Sequence, residues 1–434
     1  VTERFDAIVV GAGPAGTAAA LTIARGGLNV LVIERGEFPG AKNVFGGVLY
    51  RHHLEELIPD WWTKAPLERR IVEQNYWLLN DDGAVKIGHR SRRYVDGKPN
   101  NFTAMRAKFD RWFASQAEEA GALLICETTV TELLMEGDRV VGVRTDREQG
   151  DVYAQAVIIA DGVNSLLGKQ VGAHRELEPG QVSLVVKQTL ALPKEKIEDR
   201  FGLEEGEGAT IEILGSPSQG MVGLGFLYTN VDSLSLGLGI MVDDLAATGA
   251  RPYELLENMK QHPALRKLLQ GAEVKEYAAH LIPEGGLRAM PKLAGPGWMI
   301  CGDAAGMVNA VHREGTNLAI TSGRLAGEAV VAMAKTGDFS PEGFQAYARA
   351  VQASYIQRDL AKYQRLPAFL HDRKDLLMEK LPDALNDSLY EWFNVDDRPK
   401  AEHQRQIVRN VMEAAGGMWG LLRLAHQGWR AINE

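Results

Sequence analysis

Asp6-Ala7-Ile8-Val9-Val10-Gly11-Ala12-Gly13-Pro14-Ala15-Gly16 is an apolar run closed by three glycines, and a good helix former, Thr17–Arg25, follows it at once. That order of strand, glycine turn and helix turns a weak glycine pattern into a strong signal for a dinucleotide. Gly11 permits the tight turn, and Gly13 lets the main chain approach a pyrophosphate. Gly16 lets helix and strand pack closely, while the helix N-terminus presents the positive end of its dipole. A second apolar strand, Asn29–Ile33, ends at Glu34. That carboxylate lies about 20 residues beyond the glycines, the interval at which an acidic side chain accepts hydrogen bonds from an adenosine ribose. The chain therefore opens as an α/β, Rossmann-type nucleotide-binding unit.

Such a fingerprint serves NAD or FAD, and the stretches farther out separate the two. Ala160-Asp161-Gly162 follows one apolar strand, and Ile300-Cys301-Gly302-Asp303-Ala304-Ala305-Gly306 follows another. In the second, a carboxylate at a glycine-flanked strand end can bond the ribityl hydroxyls of a flavin, because missing side chains let the cofactor lie against the backbone. Gly-Asp on its own is also a common turn. Gly315-Thr316-Asn317 then opens a helix to about Ala334. Main-chain N–H groups at its start either stabilise negative charge on the pyrimidine end of a reduced flavin or form an ordinary N-terminal cap. Gly223-Leu224-Gly225 sits in a strand-like run with no helix after it. Hydride donation from a nicotinamide therefore has no domain of its own.

At 434 residues the chain is too long for one ordinary core and divides into two or three lobes. Hydrophobic residues at 45% and charged residues at 24% are the balance of a soluble globular protein. A net charge of -9 leaves no basic stripe dense enough for a run of phosphates, which argues against nucleic acid as a partner. Two cysteines, Cys126 and Cys301, make no disulfide framework and cannot hold an iron–sulfur cluster that needs four thiolates. Any such centre belongs to another polypeptide. The opening residues lack the succession of cationic, apolar and cleavage-site segments, so no signal peptide is expected. No apolar run of about 18 residues is present to span a bilayer.

Three zones are expected: an FAD-binding domain over 1–170 and 291–340, an antiparallel-sheet domain for the substrate over 171–290, and a helical C-terminal region over 341–434. The first holds a helix around Arg106–Phe113, strands at Leu123–Cys126 and Val152–Ala160, and a hairpin at Gly137-Asp138. In the second, glycine-rich and β-branched strands are expected at Val182–Val186, Ala209–Leu214, Met221–Tyr228 and Leu234–Val242. Helical periodicity fills the last, with breaks at Pro367 and Pro382.

In this order and over most of the chain, these segments resemble the flavoprotein superfamily of aromatic hydroxylases, geranylgeranyl reductases and electron-transfer-flavoprotein–quinone oxidoreductases, with its glutathione-reductase-like FAD-binding domain. Lys42-Asn43-Val44-Phe45-Gly46-Gly47-Val48-Leu49-Tyr50, Leu54–Pro59, Arg106 with Phe109-Asp110, and Ile282-Pro283-Glu284-Gly285-Gly286 up to Pro291-Lys292 narrow the match. They are similar to the quinone oxidoreductases, above all to the Fix-type flavoprotein subunit of bifurcating complexes. The resemblance implies FAD contacts from Gly11, Gly13, Pro14, Ala15, Gly16, Glu34, Arg35, Arg106, Val130, Asp161, Gly162, Gly302, Asp303, Gly315, Thr316 and Asn317, with Gly46, Gly47 and Val48 beside the ring. It also implies that Gly285 and Gly286 line a quinone headgroup pocket. Glycines do let a planar ring approach the main chain, where N–H groups can bond a quinone carbonyl. A plain β-turn between the sheet and the last strand explains the pair without a ligand.

Single-chain members of that family carry a C-terminal ferredoxin-like cluster domain, whereas this chain has no cysteine after Cys301. The Fix-type arrangement implies a separate ferredoxin-like iron–sulfur subunit, an electron-transfer flavoprotein heterodimer as donor, and a membrane quinone as acceptor in the exergonic branch. The quinone would sit between the flavin and the antiparallel sheet, with no acid–base dyad, since the flavin carries the chemistry. The expected location is cytoplasmic, peripheral to the cytoplasmic face of the membrane. Trp61-Trp62 and the run Met418, Trp419, Leu421, Leu422, Leu424 and Trp429 fit either core packing or contact with a subunit or membrane. His312-Arg313-Glu314 fits a proton supply, a subunit contact or a solvated loop. Two other functions stay open: a prenyl reductase or flavin hydroxylase on the same scaffold, and a relay subunit that works only inside its complex.

Overall fold

The computed structural model describes residues 4–42, 46–174 and 177–433; Asn43, Val44 and Phe45, quoted above, lie outside them. The chain forms two compact units. The first comprises Val1–Leu67, Ala104–Gln181 and Ile282–Ala361, and the second Glu68–Thr103, Val182–Leu281 and Lys362–Glu434.

In the first unit, strand Arg4–Val10 is central to a parallel sheet. Val30–Ile33 and then Leu123–Ile125 lie on one side, with Asp151–Ile159 and then Trp298–Ile300 on the other. Strands covered on both faces read as near-continuous apolar runs, and Ala7–Val10, Val30–Ile33 and Ala156–Ile159 are all buried. The expected hairpin forms between Val130–Glu136 and Arg139–Thr145, turning at Gly137 with φ 64°. Helix Pro14–Arg25 closes the glycine turn. Helix Thr316–Thr336 packs along it, because Gly323 and Gly327 bring the two backbones together: a Cβ on Gly323 would stand 1.9 Å from the Ala15 carbonyl oxygen, and one on Gly327 2.8 Å from that of Ala19. Trp61 is buried against Phe109 and Trp112, and its Nε1–H donates to the Arg51 carbonyl at 3.0 Å. That tryptophan is a core residue and takes no part in an interfacial surface.

The second unit is a sheet in the order Glu273–Pro283, Val182–Ala191, Ser233–Met241, Gly223–Thr229, Glu207–Gly215, Arg70–Leu79. Its central pairs are antiparallel, whereas Arg70–Leu79 joins Glu207–Gly215 in parallel and carries Ala84–Arg90 as a hairpin partner. This differs from the sequence expectation, which left residues 70–90 inside the 1–170 domain. Trp77 and Leu79 belong to the apolar core of this sheet with Ile211, Ile213, Leu236 and Leu238, beneath Leu255, Leu256 and Met259 of helix Pro252–Gln261. The C-terminal helices Leu366–Asp372, Leu381–Phe393, Lys400–Ala415 and Gly417–Asn433 join this unit instead of forming a third. Asn386 Nδ2 donates to the Leu78 carbonyl at 3.1 Å, and Lys374 Nζ lies 2.6 Å from the Asp244 carboxylate. Pro367 and Pro382 fall in the first turns of their helices, where a missing N–H costs nothing. Among the described residues, no helix is long and apolar enough to cross a membrane.

Candidate functional site

Strand register places Ile33, Val10, Ile159 and Ile300 in one row across four parallel strands. The residues that follow each of them, Glu34, Gly11, Ala160-Asp161-Gly162 and Cys301-Gly302-Asp303, therefore emerge together at the carboxyl edge of the sheet. Open α/β sheets bind their ligands at that edge.

The three glycines of the opening turn differ in what they accommodate. Gly11 has φ 97°, and a Cβ there would lie 2.4 Å from the Ala160 oxygen; one on Gly16 would lie 1.9 Å from the Gly11 oxygen. Both are required by the polypeptide itself. A Cβ on Gly13 would meet nothing within 4 Å, so no protein atom explains this glycine. Beside it, helix geometry gives the Ala15 and Gly16 N–H groups no acceptor within their own helix, and Pro14 has no N–H to satisfy. The Glu34 carboxylate is fixed against the turn, with Oε2 accepting from the Ala12 N–H at 2.9 Å and Oε1 from the Gly36 N–H at 2.7 Å. Each oxygen keeps a lone pair with which to accept a hydroxyl.

Asp161 Oδ2 accepts the Leu167 N–H at 3.1 Å, while Oδ1 is buried with no partner among the described residues. Burial pushes this carboxyl above the ordinary carboxylate range, opposed by the Leu167 N–H. Asn317 repeats the pattern: Nδ2 donates to Glu314 Oε2 at 3.1 Å, and Oδ1 is buried without a partner. Buried acceptors left unmade are costly, and ribose or ribityl hydroxyls are donors of the right chemistry for both. Two orphaned acceptors, a cleared glycine and an unspent helix N-terminus thus fit an FAD.

Gly302, with φ 64°, donates its N–H to Ser322 Oγ at 3.0 Å; a Cβ there would stand 2.8 Å from Ala15 Cβ, so this turn lies against the fingerprint helix. Arg106 is bidentate to Asp110, with Nε and Nη2 at 2.7 and 2.8 Å from its oxygens, and it feels the charge of Asp303. Cys301 is packed in the core, its thiol pushed up to about 12 by burial, and is no nucleophile.

The remaining expected residues are more scattered. Gly315 caps helix Thr316–Thr336, and Gly46, Gly47 and Val48 lie in strand Gly46–Tyr50. Arg35 is exposed beside Glu34, and Val130 opens its hairpin half-buried. Gly285 and Gly286 begin a short helical turn, Gly286–Ala289, in place of a β-turn. A Cβ on Gly285 would clash with Ala289 Cβ at 2.3 Å, whereas Gly286, at φ 57°, faces open space. His312 is exposed and bonds the Asn309 side chain through its main-chain N–H at 3.3 Å. Ser322, which holds the Gly302 turn, was not singled out; the spacing Gly323-x-x-x-Gly327 beside it was the available signal.

Residues 6–167 match the family described as FAD dependent oxidoreductase, and residues 366–433 match the ETF-QO/FixC family C-terminal domain. A solved geranylgeranyl bacteriochlorophyll reductase-like protein from Thermoplasma acidophilum superposes with a TM-score of 0.71 over 96% of this chain and 98% of that one, at 21% identity. Fold and edge together define an FAD-dependent oxidoreductase, with FAD as its cofactor. Protein FixC of Azorhizobium caulinodans is 46% identical over 434 residues, covering 99% of this chain and all of that protein. YdiS of Escherichia coli, named a probable electron transfer flavoprotein-quinone oxidoreductase, is 40% identical over 431 residues, 98% of each chain. The chain belongs to the ETF-QO/FixC family.

Proposed function

We propose that this flavoprotein accepts electrons from an electron-transfer flavoprotein and delivers them to a membrane quinone, as the quinone-reducing branch of a bifurcating complex. The observation that carries the reading is the likeness to YdiS over 98% of both chains, which spans both units. FAD supplies the two-electron redox chemistry. Gly13, Pro14, Ala15 and Gly16 hold its pyrophosphate, and Glu34, with Arg35 and Val130 nearby in the cofactor-contact set, takes the adenosine ribose. Arg106, Asp161, Gly162, Gly302 and Asp303 take the ribityl chain and phosphates. Gly315, Thr316 and Asn317 face the pyrimidine end, Gly46, Gly47 and Val48 lie by the ring, and Gly285 and Gly286 bond the quinone.

Cys126 and Cys301 are too few to hold a four-thiolate cluster within these 434 residues, and the reading assigns the iron–sulfur relay to a separate ferredoxin-like subunit. Trp392, Phe393, Val408, Met418, Trp419, Leu422 and Trp429 are exposed on the C-terminal helices. Apolar surface of this kind marks a partner or membrane face, and it supports a peripheral position at the membrane where an isoprenoid quinone is reached. The test is the gently isolated native assembly. It should contain an electron-transfer flavoprotein heterodimer and a ferredoxin-like chain, and the reduced heterodimer should bleach this chain's flavin under argon. A chain isolated without such partners and reduced directly by a nicotinamide overturns the proposal.

A further inference from the structure

The short helical turn Gly302–Ala305 carries Asp303 at the carboxyl edge of the first unit's sheet. Two of its carbonyls are satisfied locally: Gly302 accepts from the Met307 N–H at 3.2 Å and Asp303 from the Gly306 N–H at 2.9 Å. The Ala304 carbonyl instead accepts from a side chain 130 residues away in sequence, through His174 Nε2. A carbonyl only accepts, so Nε2 carries the proton. Two more side chains hold the same stretch of backbone. Ser322 Oγ takes the Gly302 N–H at 3.0 Å, and the Tyr347 hydroxyl donates to the Ile300 carbonyl at 2.8 Å. Both are fully buried on helices Thr316–Thr336 and Pro341–Ala353, where packing fixes them. His174 is half-buried and lies outside any helix or strand, so its ring needs another means of placement. The local chain supplies it. Beyond the short helix Leu166–Gln170, Gly172 turns at φ 65°, and the Ala173 and His174 N–H groups both donate to the Gly168 carbonyl, at 3.0 and 3.3 Å. His174 is thereby folded back over Gly168. A Cβ on Gly168 would stand 3.0 Å from His174 Cδ2 and 2.8 Å from Ile300 Cδ1, so a glycine makes the room in which the imidazole reaches the strand end. The ring also lies within electrostatic reach of Asp161: burial raises that carboxyl, and His174 is among the groups that oppose the rise. One imidazole therefore stands between the turns Ala160-Asp161-Gly162 and Gly302–Ala305.

We propose that His174 is a positioning residue for FAD: its Nε2–H holds the Ala304 carbonyl and so fixes the Asp303 turn beside Asp161 before the cofactor arrives. The assignment rests on the reading of Asp161 and Asp303 as flavin contacts. A ligand gains most from acceptors that are already in place, because the cost of ordering a loop on binding is subtracted from the affinity. The bond needs only an N–H at the Nε2 position, which the neutral ring in that tautomer and the imidazolium both provide. The role is therefore that of a hydrogen-bond donor and not of a charge. Glutamine reproduces it, since its amide nitrogen reaches about as far as Nε2 and donates in the same way, whereas alanine removes the donor.

The experiment uses the full chain, stripped of flavin and titrated with FAD, with quenching of flavin fluorescence as the readout and urea unfolding of the flavin-free protein in parallel. His174→Ala should weaken FAD binding roughly 3- to 10-fold, the span of one neutral hydrogen bond, and His174→Gln should recover most of that loss. Tyr347→Phe is the structural comparison. It removes a hydrogen bond to the strand ahead of the turn, so it should lower the urea midpoint and leave FAD affinity within about twofold. In the wild-type protein, ring nitrogen NMR shifts of labelled histidine, assigned by the signals lost in His174→Gln, should report a protonated Nε2. A His174→Ala protein that binds FAD as tightly as wild type overturns the proposal, as does a loss that His174→Gln does not recover. An equal loss of affinity in Tyr347→Phe would make the effect one of general stability and overturns it too. An Nδ1–H tautomer at His174 overturns it alone, even if His174→Ala fails to fold. Asp303→Ala tests the underlying reading separately: unchanged FAD affinity in that variant overturns Asp303 as a flavin contact, whichever way His174 behaves.

Discussion

Replacing Gly13 by alanine separates the two reasons a glycine can occupy the opening turn. Its backbone, at φ −73° and ψ −179°, is one that alanine adopts, and the new methyl would touch no protein atom within 4 Å. The unfolded chain loses entropy, which favours alanine by about 0.4–1 kcal/mol, and a helix N-cap loses a preferred residue at a similar cost. Stability of the flavin-free protein should therefore stay within about 1 kcal/mol of wild type. The methyl nonetheless occupies the space proposed for the pyrophosphate. Overpacking of that kind costs about 1–3 kcal/mol, a loss of FAD affinity of about 5- to 150-fold. Gly16→Ala is the converse case: its Cβ would stand 1.9 Å from the Gly11 oxygen, and about 3 kcal/mol of fold stability should go with it. Urea unfolding of the deflavinated proteins and titration with FAD, followed by quenching of flavin fluorescence, read the two quantities separately. A Gly13→Ala protein that binds FAD as tightly as wild type refutes the placement of the pyrophosphate.

Three further outcomes follow from the same geometry. Arg106→Ala leaves the buried Asp110 carboxylate without its bidentate partner, a loss of about 3–5 kcal/mol in urea unfolding; a change below about 1 kcal/mol would show that the pair contributes little. Asp161 has its folded-state pKa raised above the ordinary value of 3.8 by burial. The stability linked to its proton is complete below that value and is lost as pH rises through the folded pKa. Deflavinated Asp161→Asn should accordingly be more stable than wild type at neutral pH and show a flatter stability profile in mild acid, and a steeper one would contradict the assignment. On the C-terminal helices, Trp392 and Trp419 are exposed at 60% and 81%; replacing both by serine should reduce co-sedimentation with lipid vesicles and leave thermal unfolding unchanged, and equal sedimentation would argue for a protein partner at this face.

The nucleotide half of the fold is encoded locally, which is why it was legible. Strand, glycine turn, helix and Glu34 follow one another in sequence, and hydrophobic strands announce Asp161 and Asp303 at their ends. Their meeting at one edge is a property of parallel register, with Val10 beside both Ile33 and Ile159. The second unit was less accessible because its sheet is completed by a parallel strand, Arg70–Leu79, whose partner Glu207–Gly215 lies far along the chain. No turn or short loop marks such a pairing. Burial of both faces of Val182–Ala191 is hidden for a related reason, since it becomes visible only when the neighbouring strands are in place. The tail's helical character followed from periodicity and its prolines, but its docking rests on single side chains such as Asn386 and Lys374, which composition does not reveal.

The most direct test of the central claim is reoxidation of the fully reduced flavin in the intact protein by a short-chain quinone under argon, followed by flavin absorbance. The account predicts rapid return of the oxidised spectrum with one quinol formed per flavin. A flavin that stays reduced in the presence of quinone, and regains its colour only when oxygen and an aromatic substrate are admitted, would contradict it.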